Sequence, residues 1–265
     1  MGMGKSFTFT HAICRRPSAS ITDGLRAVDT GTPDLDLFAQ HHDDYVAALR
    51  ATGADVTVLD ALEAYPDSVF VEDAALCLQE GAIAMRPGAP SRLGEAREMV
   101  PALEAIYGDV RHITGPGFIE GGDILVTERE ILVGKSARTD AAGVAELRDI
   151  VADWGYSLRE LQTPEDVLHF KTDCSLLDEN TILSTRRLAA SGCFDGYDVI
   201  YTAEGEDAAA NAIRFNDIVI LPSGFPKTKQ TLDGAGYSVV EIGNTEAAKL
   251  DGGMSCLSLR FSPRR

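Results

Sequence analysis

The sequence predicts a mixed α/β ring built from five ββαβ units, on three observations. One pattern recurs along the chain: an apolar strand, a short polar turn, a second strand, a helix and a third strand. The first positions of successive units, Glu72, Glu120, His169, Asn211 and Cys256, are 48, 49, 42 and 45 residues apart, a period that marks a repeat architecture. Each hairpin also carries a face too apolar for water, so the units must pack on one another, and closing the ring leaves none without a neighbour.

The first complete unit has its hairpin over 73–85, turning at Gln79-Glu80-Gly81, a helix over 92–107 and a strand over 110–114. The second has a hairpin over 123–134, a helix over 140–154 and a strand over 157–162. The third turns at Asp178-Glu179-Asn180 within 174–184, followed by a weaker helical stretch and a strand over 198–202. The fourth turns at Asn216-Asp217 within 212–222, with a helix over 227–232 and a strand over 238–242. The fifth is split between the termini: 254–261 pairs with 6–14, and a helix over 35–52 and a strand over 56–59 complete it. Residues 1–265 are expected to form a single catalytic domain.

With 45% hydrophobic and 25% charged residues the composition is that of a globular protein. A formal charge of −17 argues against nucleic acid and anionic membrane as partners, since both reward lysine and arginine stripes, and is compatible with a small cationic ligand. A homodimer is compatible with the same composition. The five cysteines, Cys14, Cys77, Cys174, Cys193 and Cys256, are odd in number and irregularly spaced, which suggests neither a disulfide framework nor a zinc ribbon. The N-terminus lacks an apolar signal region and no run reaches the length of a membrane span, so a cytoplasmic location is expected. Gly4-Lys5-Ser6 lacks the upstream glycine and strand of a phosphate loop, and Met1-Gly2 with Ser6 is a chance match to an acylation pattern.

In a radial arrangement the starts of the five hairpins converge on the axis. They carry acid, acid, imidazole, amide and thiol: Glu72 with Asp73, Glu120, His169, Asn211 and Cys256. Two glycines precede the thiol, which is expected to open a strand at its exposed mouth. A thiolate that attacks an electrophilic carbon, an imidazole that protonates the departing group and carboxylates that bind a cation together suit a guanidinium or amidine. Asp73 can accept paired hydrogen bonds from two guanidinium N–H groups. A protonated His169 is expected to lower the Cys256 pKa. Cys174, the rival thiol, begins an apolar strand and reads as core. His41-His42 read as part of a solvated helical face beside Asp43-Asp44. Asn211 either lines the pocket or pairs with a strand edge.

Phe70-Val71-Glu72-Asp73, the stretch from Arg86 to Arg92, Glu120-Gly121-Gly122-Asp123, Ser136-Ala137-Arg138-Thr139, Leu168-His169-Phe170-Lys171 and the Cys256 segment together resemble the dimethylarginine dimethylaminohydrolases. The resemblance spans nearly the whole chain in order. It implies the pentein fold, an α/β propeller of five ββαβ units, and hydrolysis of Nω-methylated arginine to citrulline and a methylated amine, without metal or organic cofactor. By motif it implies Cys256 as nucleophile, His169 as acid and then base, and Glu120 as the partner of His169. Asp73, with Glu72 beside it, is implied as the guanidinium partner. Arg92 and Arg138 are implied to hold the substrate carboxylate, and Asp67 with main-chain oxygens at Leu25 and Leu250 its amino end. The segment 21–26 resembles a mobile lid. Arginine and agmatine deiminases are similar around the histidine but carry an aspartate where this chain has Lys171. That difference is expected to leave room beside the guanidinium for methyl groups. Two other readings stand: a deiminase or amidinotransferase acting on unmethylated guanidines, and a non-catalytic guanidine-binding protein.

Overall fold

The computed structural model describes residues 6–264; Met1 to Lys5, with most of the Gly4-Lys5-Ser6 and acylation-like motifs, and Arg265 lie outside the described residues. The first strands and helix in chain order are β1 (His11–Arg15), α1 (Leu35–Ala51) and β2 (Asp55–Leu59). Next come β3 (Ala75–Cys77), β4 (Ala82–Ala84), α2 (Glu95–Tyr107) and β5 (Val110–His112), then β6 (Ile124–Val126), β7 (Ile131–Lys135), α3 (Ala141–Asp153) and β8 (Leu158–Gln162). The third full unit is β9 (Cys174–Leu176), β10 (Thr181–Ser184), the single-turn α4 (Arg186–Ala189) and β11 (Asp198–Tyr201). The fourth is β12 (Ile213–Phe215), β13 (Ile218–Pro222), α5 (Pro226–Gly234) and β14 (Ser238–Ile242); α6 (Thr245–Ala248) and β15 (Leu259–Phe261) follow.

These strands form five three-stranded sheets, β3-β4-β5, β6-β7-β8, β9-β10-β11, β12-β13-β14 and β15-β1-β2. Each is an antiparallel pair joined in parallel by a third strand that returns after a helix. In the split unit, Ile13 pairs with Leu259 antiparallel and with Thr57 in parallel register. The expected ββαβ repeat, with the two termini sharing one blade, is therefore the architecture.

Strand periodicity explains why the strands read as nearly continuous apolar runs. In β7, Ile131 and Val133 pack with Ile83 of the preceding sheet, while Leu132 on the other face packs with Ile182 of the next. In β13, Val219 and Leu221 join Leu183, whereas Ile220 joins Phe38 and Tyr45 of α1. Five apolar clusters result, each spanning two neighbouring sheets, so a strand buried on both faces has no polar face to show. Fully burying a leucine or isoleucine side chain contributes about 1.5–3 kcal/mol.

Local sequence places the helix ends. Asp34 caps α1 by accepting the Leu37 N–H and Asp140 caps α3 by accepting that of Gly143. The helix expected from Arg92 begins at Glu95, because Pro90–Arg92 forms a separate 3-10 turn. The expectation that hairpins begin at their polar first residues is corrected in the same way. Each is preceded by a 3-10 turn: Val71–Ala74, Gly121–Asp123, Phe170–Thr172, Asp207–Ala210 and Ser255–Leu257. Cys256 thus lies on such a turn rather than opening a strand, and β15 starts three residues later. His42 also departs from expectation: it is buried under α1, with burial pushing its pKa down to about 4, rather than solvated.

Candidate active site

The five 3-10 turns contact one another around the axis and carry the polar residues inward. On one side they floor a cavity of about 160 Å³, lined by Cys256, His169, Asp73, Asp67, Arg92 and Arg138 together with Leu25, Leu250, Phe70 and Leu168. Glu120 lies directly behind His169, and of the expected site residues only Glu72 faces elsewhere.

Glu120 is fully buried, and its Oε2 lies 2.6 Å from His169 Nε2. Its other oxygen accepts the Gly88 N–H at 2.9 Å and faces Arg138 at 3.5 Å. Burial alone would lower the His169 pKa, but Asp73, Glu120 and Asp123 outweigh it and hold the imidazolium up to about 9. Burial opposes ionisation of Glu120 too, yet His169 and the nearby arginines hold that carboxyl down to about 2. The pair is charged at neutral pH. Gly122 makes this packing possible, since a Cβ there would stand 2.7 Å from Asp73 Oδ1 and 3.0 Å from the His169 ring.

The Cys256 sulfur receives the Gly253 N–H at 3.4 Å and faces Asn211 Nδ2 at 3.9 Å. Burial, then the Glu72 and Asp73 carboxylates, push the thiol up to about 11. The expected lowering by His169 is thus not realised, and what lowers the thiol is the pair of hydrogen bonds from Gly253 and Asn211, which burial and the carboxylates outweigh. The rival Cys174 is buried among apolar side chains, which raises its pKa well above the ordinary value, and its thiol donates to the Phe170 carbonyl at 3.3 Å.

Asp73 sits at the centre of the floor, Oδ1 accepting the Gly122 N–H at 2.9 Å and Oδ2 an Arg92 N–H at 2.6 Å. Arg92 is only 4% exposed and gives Nε and Nη2 to Glu95, at 3.0 and 2.8 Å, with Nη2 also reaching the Phe70 carbonyl. Its fork is thus committed within the protein, and Arg138, with a 21% exposed side chain, is the cation more open to an incoming carboxylate. Asp67 accepts the Leu25 N–H at 2.9 Å, tying the segment after the Ala19–Asp23 turn to the cavity, and burial raises its pKa.

Glu72 and Lys171 lie together beneath the floor, which corrects the expected place of Glu72. Glu72 does not line this cavity; its carboxylate accepts Lys171 Nζ and Arg260 Nη2, each at 2.6 Å, and the Ser255 hydroxyl at 2.8 Å. Burial would raise its pKa, but the two cations hold it below the usual carboxylate range. Together with Lys171 and Arg260 it lines a second cavity of about 140 Å³ walled by β3, β6, β9, β12 and β15. Lys171 likewise does not line the Cys256 cavity; its ammonium neutralises Glu72 under the floor.

Asp73, Glu120 and His169 each offer a ligand atom within 4.8 Å of the others, the spacing of a possible cation site. Each is already engaged, Asp73 by Arg92 and His169 by Glu120, so the trio reads as a charge network. Sequence reasoning missed Glu95, Asp123 and Arg260. Asp123, in the quoted Glu120-Gly121-Gly122-Asp123 motif, accepts the Phe170 N–H at 2.8 Å beside His169. Arg260 lies within an alternating strand, where its partner could not be read.

Five three-stranded blades around a pocket holding a thiol, an imidazole and carboxylates define the class: a pentein. Residues 35–172 match the model for "N,N dimethylarginine dimethylhydrolase, eukaryotic". The chain is 39% identical to the N(G),N(G)-dimethylarginine dimethylaminohydrolase of Pseudomonas aeruginosa, over 96% of this chain and 100% of that protein. It is 32% identical to the enzyme of the same name from Streptomyces coelicolor, over 94% and 96% of the two chains. The chain belongs to the dimethylarginine dimethylaminohydrolase family. A structure of the Pseudomonas protein, a cysteine-to-serine mutant complexed with citrulline, superposes with a TM-score of 0.93 over 96% of this chain and all of that one.

Proposed function

We propose that this protein hydrolyses Nω-methylated arginine, asymmetric dimethylarginine and monomethylarginine, to citrulline and dimethylamine or methylamine, as a cytoplasmic enzyme with residues 1–265 acting as one catalytic domain. The observation that carries the reading is the shared cavity, in which the Cys256 thiol, the His169 imidazolium and the Asp73 carboxylate face one volume. Citrulline, the ligand of the Pseudomonas protein, is the ureido product this reaction makes. Among the described residues no helix is long and apolar enough to cross a membrane.

The substrate guanidinium binds against Asp73, with Arg138 taking its carboxylate and Asp67 and the main chain at Leu25 and Leu250 its amino end. A cation beside Asp73 offsets the carboxylates that keep Cys256 protonated, and the thiol proton passes to solvent. The thiolate attacks the guanidinium carbon to form a C–S bond. As the C–N bond to the methylated nitrogen breaks, His169 gives its proton to the departing amine and becomes neutral, leaving a covalent thiouronium. Water then attacks the same carbon, His169 takes its proton, and cleavage of the C–S bond returns the thiolate and releases citrulline. Glu120 holds the imidazolium through the first half and restores it in the second.

The test is incubation with asymmetric dimethylarginine, arginine and agmatine, with measurement of ureido product and released amine. Dimethylamine with citrulline from the methylated substrate is expected. Ammonia released from arginine faster than dimethylamine from dimethylarginine would instead establish a deiminase. Absence of ureido product from all three with folded protein would overturn both enzyme readings.

A further inference from the structure

We infer that Asn211 is a positioning residue for the nucleophile: its side-chain amide clamps the turn bearing Cys256 and presents an N–H to the sulfur, which favours the thiolate. The inference rests on Cys256 being the nucleophile of the proposed reaction. Asn211 is 6% exposed and occupies the fourth of the five axial positions, the other four being Glu72, Glu120, His169 and Cys256 itself. Three contacts tie it to the nucleophile turn. Its main-chain carbonyl accepts the Met254 N–H at 3.2 Å, its Oδ1 accepts the Ser255 N–H at 2.9 Å, and its Nδ2 lies 3.9 Å from Cys256 Sγ.

The amide orientation is fixed by chemistry. The Ser255 N–H can only donate, so the side-chain oxygen must face it, and Nδ2 is left toward the sulfur. Gly253 supplies the space, since a Cβ there would fall 2.1 Å from the Asn211 side chain. The second glycine before the thiol is thus explained by a side chain on another blade. The charged groups around the sulfur make the donor useful. Glu72 and Asp73, from the turn before β3, oppose a negative sulfur, while His169 shares the cavity and Arg260 lies on the strand that follows. Asn211 and the Gly253 N–H are the neutral donors on the other side. Among side chains of this length, only an amide accepts from Ser255 and donates to sulfur at once.

The experiment reads Cys256 directly, without substrate: the pH profile of its alkylation by iodoacetamide, located by peptide mass spectrometry, in native protein, Asn211→Leu and Asn211→Asp. Leucine keeps the volume and removes both contacts. Aspartate keeps the acceptor and replaces the donor with a charge. Alkylation at pH 8 is expected to be about tenfold slower in the leucine variant and slower again in the aspartate variant, with both profiles displaced to higher pH. In turnover, kcat falls while KM for dimethylarginine changes little. Folded variants with the native alkylation profile would overturn the inference. Should Asn211→Leu not fold by circular dichroism, Asn211→Asp, which retains the Ser255 contact, decides alone. Failure of the native protein to turn over any guanidine would overturn the proposed function and leave the alkylation comparison intact.

Discussion

His169 Nε2 and Glu120 Oε2 lie 2.6 Å apart, each on the residue that leads into one of two neighbouring 3-10 turns, 49 residues apart in sequence, and both are buried. The contact makes one ion pair of two blades.

The pair has a defined pH window. His169 is raised to about 9 in the folded protein, so its contribution is full below the unfolded value of about 6.5 and disappears as pH rises through 9. Glu120 is lowered to about 2, so its contribution is present above about 4.3 and is lost as pH falls through 2. Glu120→Gln should therefore reduce the melting temperature most between about pH 4.3 and 6.5 and hardly at pH 10. It should also lower kcat by about 10²-fold, the usual worth of general acid–base assistance. A melting-temperature loss equal at pH 5.5 and 10 would argue against the pair as an ionic contact.

The proposed reaction calls for a Cys256 thiolate beside a His169 imidazolium, yet the thiol is held at about 11 and the imidazolium at about 9. At neutral pH the imidazolium is therefore already in place, while the thiol still holds its proton. The kcat/KM profile should then climb through neutral pH and peak between about 9 and 11, while kcat, reporting the complex with a cation in place, rises at lower pH. Cys256→Ser should abolish amine release and Cys174→Ser should retain it; the reverse pattern would reassign the nucleophile.

Arg138 and Arg92 should separate in their effects. Arg138→Gln is expected to lower kcat/KM for dimethylarginine by about 10- to 100-fold, the range of a charge-assisted contact, and to leave an analogue lacking the α-carboxylate little affected. Arg92→Gln breaks a buried network with Asp73 and Glu95 and should cost about 3–5 kcal/mol of stability, read by urea unfolding. Equal loss for both substrates in Arg138→Gln would remove it from carboxylate recognition.

Lys171→Met should destabilise the fold by about 3 kcal/mol, because Glu72 keeps only Arg260 and Ser255, while the preference for methylated over plain arginine is unchanged. A changed preference without loss of stability, measured by competition kinetics and urea unfolding, would return Lys171 to the substrate cavity.

Much was legible because the repeat is periodic. Apolar runs, turn residues and the spacing of Glu72, Glu120, His169, Asn211 and Cys256 required nothing beyond local rules, and they led to five blades with the termini joined. The 3-10 turns were not legible, since they depend on how the blade mouths crowd at the axis. Nor did the sequence indicate that Arg92 would spend its fork on Glu95 and Asp73.

The sequence by itself determined the ring, its strand faces and which chemical groups reach the axis, because strand alternation and the repeat spacing are local properties of the chain. Only the tertiary structure decided which way each axial group faces. Neighbouring residues Glu72 and Asp73 part there, one neutralised under the floor by Lys171 and Arg260 and the other open to the cavity beside Cys256. The physical reason is electrostatic: a buried carboxylate turns toward the cations that offset its lost hydration, and those cations come from other blades.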